Sequence, residues 1–191
     1  MGKLQELENK LNELTKEFNN YKKVHNHFVL PNEPGDEFEF YGIKWIALEI
    51  NGRQVKCIAK DFDDMKRQFD ISSNNWIESL LRGFLNTDYC KQFRDFLVYQ
   101  GRDLLSLDGQ TQYGKCRDRV TLLTVDEYRK YREYLPNTNR WWWLCTPYST
   151  EKNKDKCSVC AVDHCGYISP GSYDCIGYVR PVCVFDFSSL F

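Results

Sequence analysis

Apolar residues recur near the N-terminus at intervals of three and four: Leu4, Leu7, Leu11, Leu14, Phe18 and Tyr21. Glu, Lys, Gln and Asn fill most positions between them, and no Pro or Gly interrupts the chain from Lys3 to Leu30. This is the a/d seam of a heptad repeat, which predicts a helix with one apolar stripe. So short a helix is marginal in water, so the stripe needs a partner. Two partners are open: the same helix of other protomers, or the surface of its own domain. The stripe is narrower than a typical globular helix face and so favours a coiled coil. Leucines followed by aromatics at the seam favour a trimer or tetramer over a dimer.

Asn32-Glu-Pro34-Gly35 ends that pattern and marks a boundary. The chain thus divides into an oligomerising helix, 1–30, and a globular domain, 31–191. The domain opens with alternation: Phe38 and Phe40 flanked by acids, then Ile43-Lys-Trp45-Ile-Ala-Leu48-Glu-Ile50 and Val55-Lys-Cys57-Ile-Ala59. Asn51-Gly52 between the last two runs predicts a hairpin. Helical spacing follows. Asn75 with Glu78 resembles a capping box ahead of Trp76, Leu80, Leu81 and Phe84, and Phe93, Phe96 and Leu97 mark a second amphipathic segment. Thr124-Val-Asp-Glu127 is a stronger capping box, starting a helix that carries Tyr128 and Tyr131 and stops at Pro136. Then Trp141-Trp-Trp143-Leu reads as a short strand, and at least one of the three Trp should face out or sit under a loop. Val179–Phe185 reads as a closing strand, with Pro181 implying an edge or a bulge. The predicted class is α+β: antiparallel sheets and two to three helices, preceded by the coiled-coil helix.

Composition narrows the function. The chain has 191 residues, 26 Lys+Arg against 27 Asp+Glu, and a net charge of −1, which gives no electrostatic footprint for nucleic acid. Hydrophobic residues at 42%, with 15% aromatics, suffice for a sizeable core. No segment reads as a membrane span or a signal peptide, so the expectation is a chain that is cytoplasmic as synthesised, with virion association open. Nine cysteines are an odd number, and six of them (Cys145, Cys157, Cys160, Cys165, Cys175 and Cys183) fall in the last quarter. Without a signal peptide they read as thiols, ligands or nucleophiles before disulfides.

Five blocks together resemble a known family. They are Gly35-Asp36-Glu-Phe-Glu-Phe-Tyr-Gly42-Ile-Lys-Trp45; Trp76-Ile-Glu78-Ser79-Leu80-Leu-Arg82-Gly-Phe-Leu85-Asn86; Leu123-Thr124-x-x-Glu127-Tyr128; Trp142-Trp143-Leu144-Cys145-Thr146-Pro147; and Gly177-Tyr178-Val179-Arg180-Pro181. In that order, across residues 35–187, they resemble an uncharacterised domain family of bacteria and phages, similar to the C-type-lectin-like fold. That fold also serves formylglycine-generating enzymes and the variable proteins of diversity-generating retroelements. The resemblance implies ligand-binding loops towards the C-terminus and does not by itself imply a reaction. The chain departs from the pattern at Cys145, where the family usually has Arg, at Tyr148, where it often has Gly, and at Tyr178, inserted before Val-Arg-Pro. A retroelement variable protein diversifies Asn-type codons near its C-terminus. Residues 157–178 are rich in the types such codons can become, whereas Glu151, Lys152, Lys154 and Lys156 are not; an ordinary polar loop gives the same composition.

Other chemistry is weighed against this reading. Cys157-x-x-Cys160 with Cys165 and Cys175 could be a zinc half-site, but the second spacing is wrong and a strand would put Cys157 and Cys160 on opposite faces. A nucleophilic Cys with His164 as base is an enzyme alternative, although His164 sits in an apparent turn; His25 and His27 lie in the helix. Asp61, Asp63, Asp64 and Asp70 lack a calcium-loop pattern and read as solvated surface. The resulting expectation is a non-enzymatic ligand-binding or receptor-binding protein without cofactor or metal. Its contact residues are Trp141, Tyr148, Asp163, His164, Tyr167, Ser172, Tyr173, Asp174 and Tyr178, and Trp45, Arg82, Trp143 and Arg180 hold the scaffold. Its partners would be copies of itself and an unknown protein or glycan, with no nucleic acid and no membrane insertion. A formylglycine-generating-enzyme-like cysteine enzyme and a structural phage tail or surface component remain the alternatives.

Overall fold

The computed structural model describes residues 5–15, 29–62 and 64–190. Residues 5–15 are helical (α1), with Leu7, Leu11 and Leu14 about 60% or more exposed. Leu4, Phe18 and Tyr21 of the predicted seam, and His25 and His27, lie outside the described residues, as does Asp63. No described helix is long and apolar enough to cross a membrane.

The first sheet is built from the two ends of the globular part. β1 (Glu37–Phe40), β2 (Ile43–Asn51) and β3 (Gln54–Ala59) form an antiparallel meander. β12 (Val182–Asp186) adds antiparallel to β3, and β7 (Val120–Thr121) closes the order β1-β2-β3-β12-β7. Both meander turns have two residues. Tyr41 and Gly42 link β1 to β2 with φ of 54° and 71°, the geometry of a type I′ turn, in which both residues lie in the left-handed region. Between β2 and β3 the pair Asn51↔Gln54 leaves Gly52-Arg53 as the turn, so the predicted hairpin exists one residue further on. Gly52, at φ 60°, supplies the backbone that an L-residue resists.

The second sheet carries the C-terminal quarter in the order β10-β9-β8-β11-β4. β8 (Trp142–Pro147), β9 (Ser158–Val162) and β10 (Ile168–Ser172) run antiparallel. β11 (Ile176–Tyr178) lies parallel to β8, and β4 (Lys66–Gln68) pairs antiparallel with β11. A small hairpin, β5 (Gln100–Asp103) with β6 (Lys115–Asp118), stands apart. The helices α2 (Leu80–Thr87) and α3 (Val125–Lys130) lie between early and late strands in sequence. The class is therefore α+β with antiparallel sheets, as the periodicity predicted.

Every residue of β8 is buried, because a separate apolar cluster covers each face. Trp143 and Cys145 join Trp45, Phe69, Trp76, Phe93, Cys183 and Phe185. Trp142 and Leu144 join Ile46, Ile58, Tyr128, Tyr131, Cys160 and Val182. Trp141 is half-buried and precedes the strand, so it is the Trp of the three that retains solvent contact.

Several local expectations shift by a few residues. Asn75 caps only a 3₁₀ turn, Trp76–Glu78, accepting from the Ile77 amide at 3.1 Å. Ser79 is the true cap of α2, accepting from the Arg82 amide at 3.1 Å. The segment around Phe93 and Phe96 is 3₁₀ over Tyr89–Phe96, kinked at Phe93. Pro181 stands just before β12, which lies between β3 and β7 and is not an edge strand. Proline lacks an amide hydrogen to donate, but its carbonyl still accepts from the Ala59 amide at 2.9 Å. Asp70 is not solvated surface: it is buried and accepts from the amides of Ser72, Ser73 and Leu80.

Candidate functional site

The blocks that carried the resemblance prove to be fastenings. Asp118, 4% exposed, accepts from Trp76 Nε1 at 2.9 Å and from Arg82 Nε and Nη2, each at 2.8 Å. Arg82 Nη1 also donates to the Ile77 carbonyl. Asn86 reads the backbone of residues 119–120 with both ends of its amide. Trp45 Nε1 donates to the Phe40 carbonyl, and Trp143 Nε1 to the Arg67 carbonyl at 3.1 Å. Arg180 is buried, donates from Nε to the Ala59 carbonyl at 3.0 Å, and lies over the Phe62 and Trp142 rings. Its Nη1 has no hydrogen-bond partner, and burial pulls its pKa down to about 10. Trp45, Arg82, Trp143 and Arg180 thus all have fold-holding contacts.

Apart from Trp141 and Tyr178, the proposed contact residues gather at the two ends of the β9–β10 hairpin. The β9–β10 turn carries Asp163, His164 and Tyr167. Asp163 is half-buried and its Oδ1 accepts from the amides of Cys165 (2.8 Å) and Tyr167 (2.9 Å). Tyr167 is 72% exposed. Below the turn, Tyr128 donates its hydroxyl to the Gly166 carbonyl at 2.8 Å, and Asn137 donates to the Cys165 carbonyl at 2.8 Å. At the other end Ser172 faces Ser158, and Ser172 donates its hydroxyl to Asp174 at 2.5 Å. Tyr148 joins this end, its amide bonding the Ser158 carbonyl, and it is 39% exposed. Tyr173 is half-buried, and its carbonyl accepts from the amides of Phe69 and Asp70. β10 has five residues, so the two ends are roughly 15 Å apart at ~3.3 Å per residue.

Trp141 stands edge-on to Trp143 with ring centroids 4.8 Å apart. Both indoles press on glycine. A Cβ at Gly171 would lie 2.8 Å from the Trp143 ring, and one at Gly177 would lie 2.6 Å from Trp143 Nε1 and closer to Trp141. Tyr178 is buried against Phe62. Of the nine proposed contact residues, Tyr148, His164, Tyr167, Ser172 and Asp174 are exposed.

A second constellation escaped the sequence. Glu127 accepts from Lys56 Nζ at 2.5 Å, from Arg102 Nη1, and from the Thr124 amide at 2.9 Å as half of the α3 capping box. Burial alone would raise its pKa; Arg102 and Lys56 outweigh burial and hold it at about 2. Arg102, with its side chain 5% exposed, also approaches Cys145 Sγ at 3.8 Å, and its Nε is unpartnered. Arg102 and Glu127 border a cleft of about 620 Å³ that Cys116 and Thr124 also line. Arg102 lies 25 positions and Lys56 71 positions from Glu127, separations no local pattern reveals. Burial pushes the Cys145 thiol up to about 11 and the Cys116 thiol up to about 12, so neither is prepared as a thiolate nucleophile.

The cysteines sort by exposure. Cys57, Cys90, Cys145, Cys160 and Cys183 are buried and Cys116 is half-buried, whereas Cys157, Cys165 and Cys175 are exposed. Cys160 is sealed in the core and Cys157 is at the surface, so the Cys-x-x-Cys spacing does not make a zinc knuckle. No family model, no curated protein and no solved structure matches the chain.

Proposed function

We propose that the chain is a non-enzymatic, oligomeric binding protein of the C-type-lectin-like kind, presenting its C-terminal quarter to a protein or glycan on another surface. The observation that carries this reading is the contrast within the second sheet. Its central strand is buried on both faces, while the connections around it and the end of β10 expose Tyr148, His164, Tyr167, Ser172 and Asp174. Tyrosines on a rigid frame give contact area at low entropic cost, and Ser, His and Asp add adaptable hydrogen bonding, as in antibody paratopes.

The fold assignment is supported by the first sheet, where β12 pairs with β3 of the opening meander and so brings the two ends of the domain together. The oligomer is supported by Leu7, Leu11 and Leu14, which follow the i, i+4, i+7 stripe and are exposed. Joining several weak sites through that helix raises avidity without new contacts. Diversification of residues 157–178 by a retroelement of a phage or bacterium is part of the proposal. A reverse transcriptase and a near-repeat of the 3′ segment beside the gene would support it.

The test is direct binding. Fluorescently labelled full-length protein is applied to a panel of bacterial cells and immobilised glycans, beside the double variant Tyr148→Ser, Tyr167→Ser. The reading expects selective binding that drops at least tenfold in the variant while thermal unfolding is unchanged. Binding that ignores both substitutions would overturn it.

A further inference from the structure

We propose that the β9–β10 turn is also a metal site, in which Asp163, His164 and Cys165 hold one thiophilic divalent cation of the zinc type. The carboxylate oxygen, imidazole nitrogen and thiol sulfur of these residues lie within 4.8 Å of one another. Ligand bonds of about 2.0–2.3 Å place the donors of a tetrahedral zinc ion roughly 3.3–3.8 Å apart. Small side-chain rotations close that gap, and His164 and Cys165 are exposed, so they are free to make them. Sulfur, nitrogen and oxygen together suit zinc, cobalt or nickel, whereas magnesium and calcium take oxygen ligands.

The backbone beneath the donors is already fixed. Asp163 and Tyr167 close the hairpin by an amide-to-carbonyl bond of 2.9 Å, and the Gly166 amide returns to the Asp163 carbonyl at 3.0 Å. Gly166 has φ 87°, and a Cβ there would lie 2.6 Å from Arg132 Nη2, so the turn is seated directly on that side chain. The Arg132 guanidinium is itself engaged by the Leu135 carbonyl and Asn137 Oδ1. Two amides already occupy Asp163 Oδ1, which orients the carboxylate and leaves Oδ2 for the ion. On binding, Cys165 releases its thiol proton to solvent as the sulfur–metal bond forms. Carboxylate and thiolate then balance the two positive charges. Three protein donors leave a fourth position open to water or to an oxygen or nitrogen of a bound partner. The site goes beyond the binding role proposed above and does not depend on it.

The experiment uses tag-free full-length protein carrying Cys157→Ser and Cys175→Ser, so that Cys165 is the one fully exposed thiol among the described residues. Cobalt is added and the thiolate-to-cobalt charge-transfer absorption is followed; zinc affinity is measured by calorimetry. One ion per chain is expected, with the absorption abolished by Cys165→Ser. His164→Ala is expected to weaken zinc at least tenfold, with thermal unfolding of the metal-free variants unchanged. Cobalt bound without the thiolate band, zinc affinity indifferent to His164→Ala, or no stoichiometric binding would each overturn the assignment. Because His164 is also a contact residue, Cys165→Ser separates the two roles: zinc lost with cell or glycan binding retained supports the metal site independently of the contact surface.

Discussion

Replacing Glu127 with Gln removes one negative charge from between two cations while keeping the side chain's size. In the folded protein the carboxyl sits at about 2, against 4.5 for the free side chain. That difference of about 2.5 units corresponds to roughly 3 kcal/mol at neutral pH, at about 1.4 kcal/mol per unit. Breaking a buried pair by removing one partner typically costs ~3–5 kcal/mol, because the remaining charge stays buried. Arg102 would be that charge, with its side chain 5% exposed. The Gln amide still offers an oxygen to the Thr124 amide, so the cost should fall at about 2–4 kcal/mol, or roughly 5–15 °C in melting temperature for a domain of this size. The assay is urea unfolding followed by tryptophan fluorescence. The carboxyl's pKa is depressed by folding, so its stabilisation is fully present above about pH 5 and fades as pH falls towards 2. The gap between wild type and Glu127→Gln should therefore close on acidification. A gap below about 0.5 kcal/mol at pH 7, or one unchanged between pH 6 and pH 3, would show that the Glu127 charge does not stabilise the fold through Lys56 and Arg102.

Gly177→Ala forces a Cβ into the Trp141 and Trp143 rings, and overpacking of this kind costs about 1–3 kcal/mol, read as a lower urea midpoint with unchanged slope. Native protein should show three fast-reacting thiols with a disulfide reagent, Cys157, Cys165 and Cys175, a slower one at half-buried Cys116, and the five buried thiols only after unfolding. Deleting residues 1–24 should reduce the mass seen by light scattering to that of one protomer; an unchanged oligomer would place the interface elsewhere.

Local signals decided how much of this could be read in advance. The α3 capping box and the β2–β3 hairpin were legible, because each depends on near neighbours or on strand periodicity. Strand alternation indicated that at least one Trp of the 141–143 run would face out or sit under a loop, and Trp141 does keep solvent contact; the burial of β8 on both faces was not legible. The structure covers both faces of β8, and packing supplied by residues 46–58 on one side and 69–93 on the other leaves no trace in the strand itself. The start of α2 was misread because Asn75 and Ser79 are both good caps, and a 3₁₀ turn separates them. Among the contact residues, exposure followed the loop reading at Tyr148, His164 and Tyr167. Tyr178 is buried because β11 is inserted between β8 and β4, a pairing that no periodicity encodes. The Lys56–Glu127–Arg102 cluster was invisible for the same reason: its side chains come from β3, α3 and the β5–β6 hairpin and meet only when these pack together.

In the proposed binding role, the C-terminal quarter makes the contact with a partner. Hydrogen–deuterium exchange of the full-length protein, alone and on the cell surface or glycan it selects, tests this most directly. Protection is expected in residues 141–178, at the Tyr148 and Tyr167 connections. Protection confined to the Arg102–Glu127 cleft, with residues 141–178 unchanged, would contradict it.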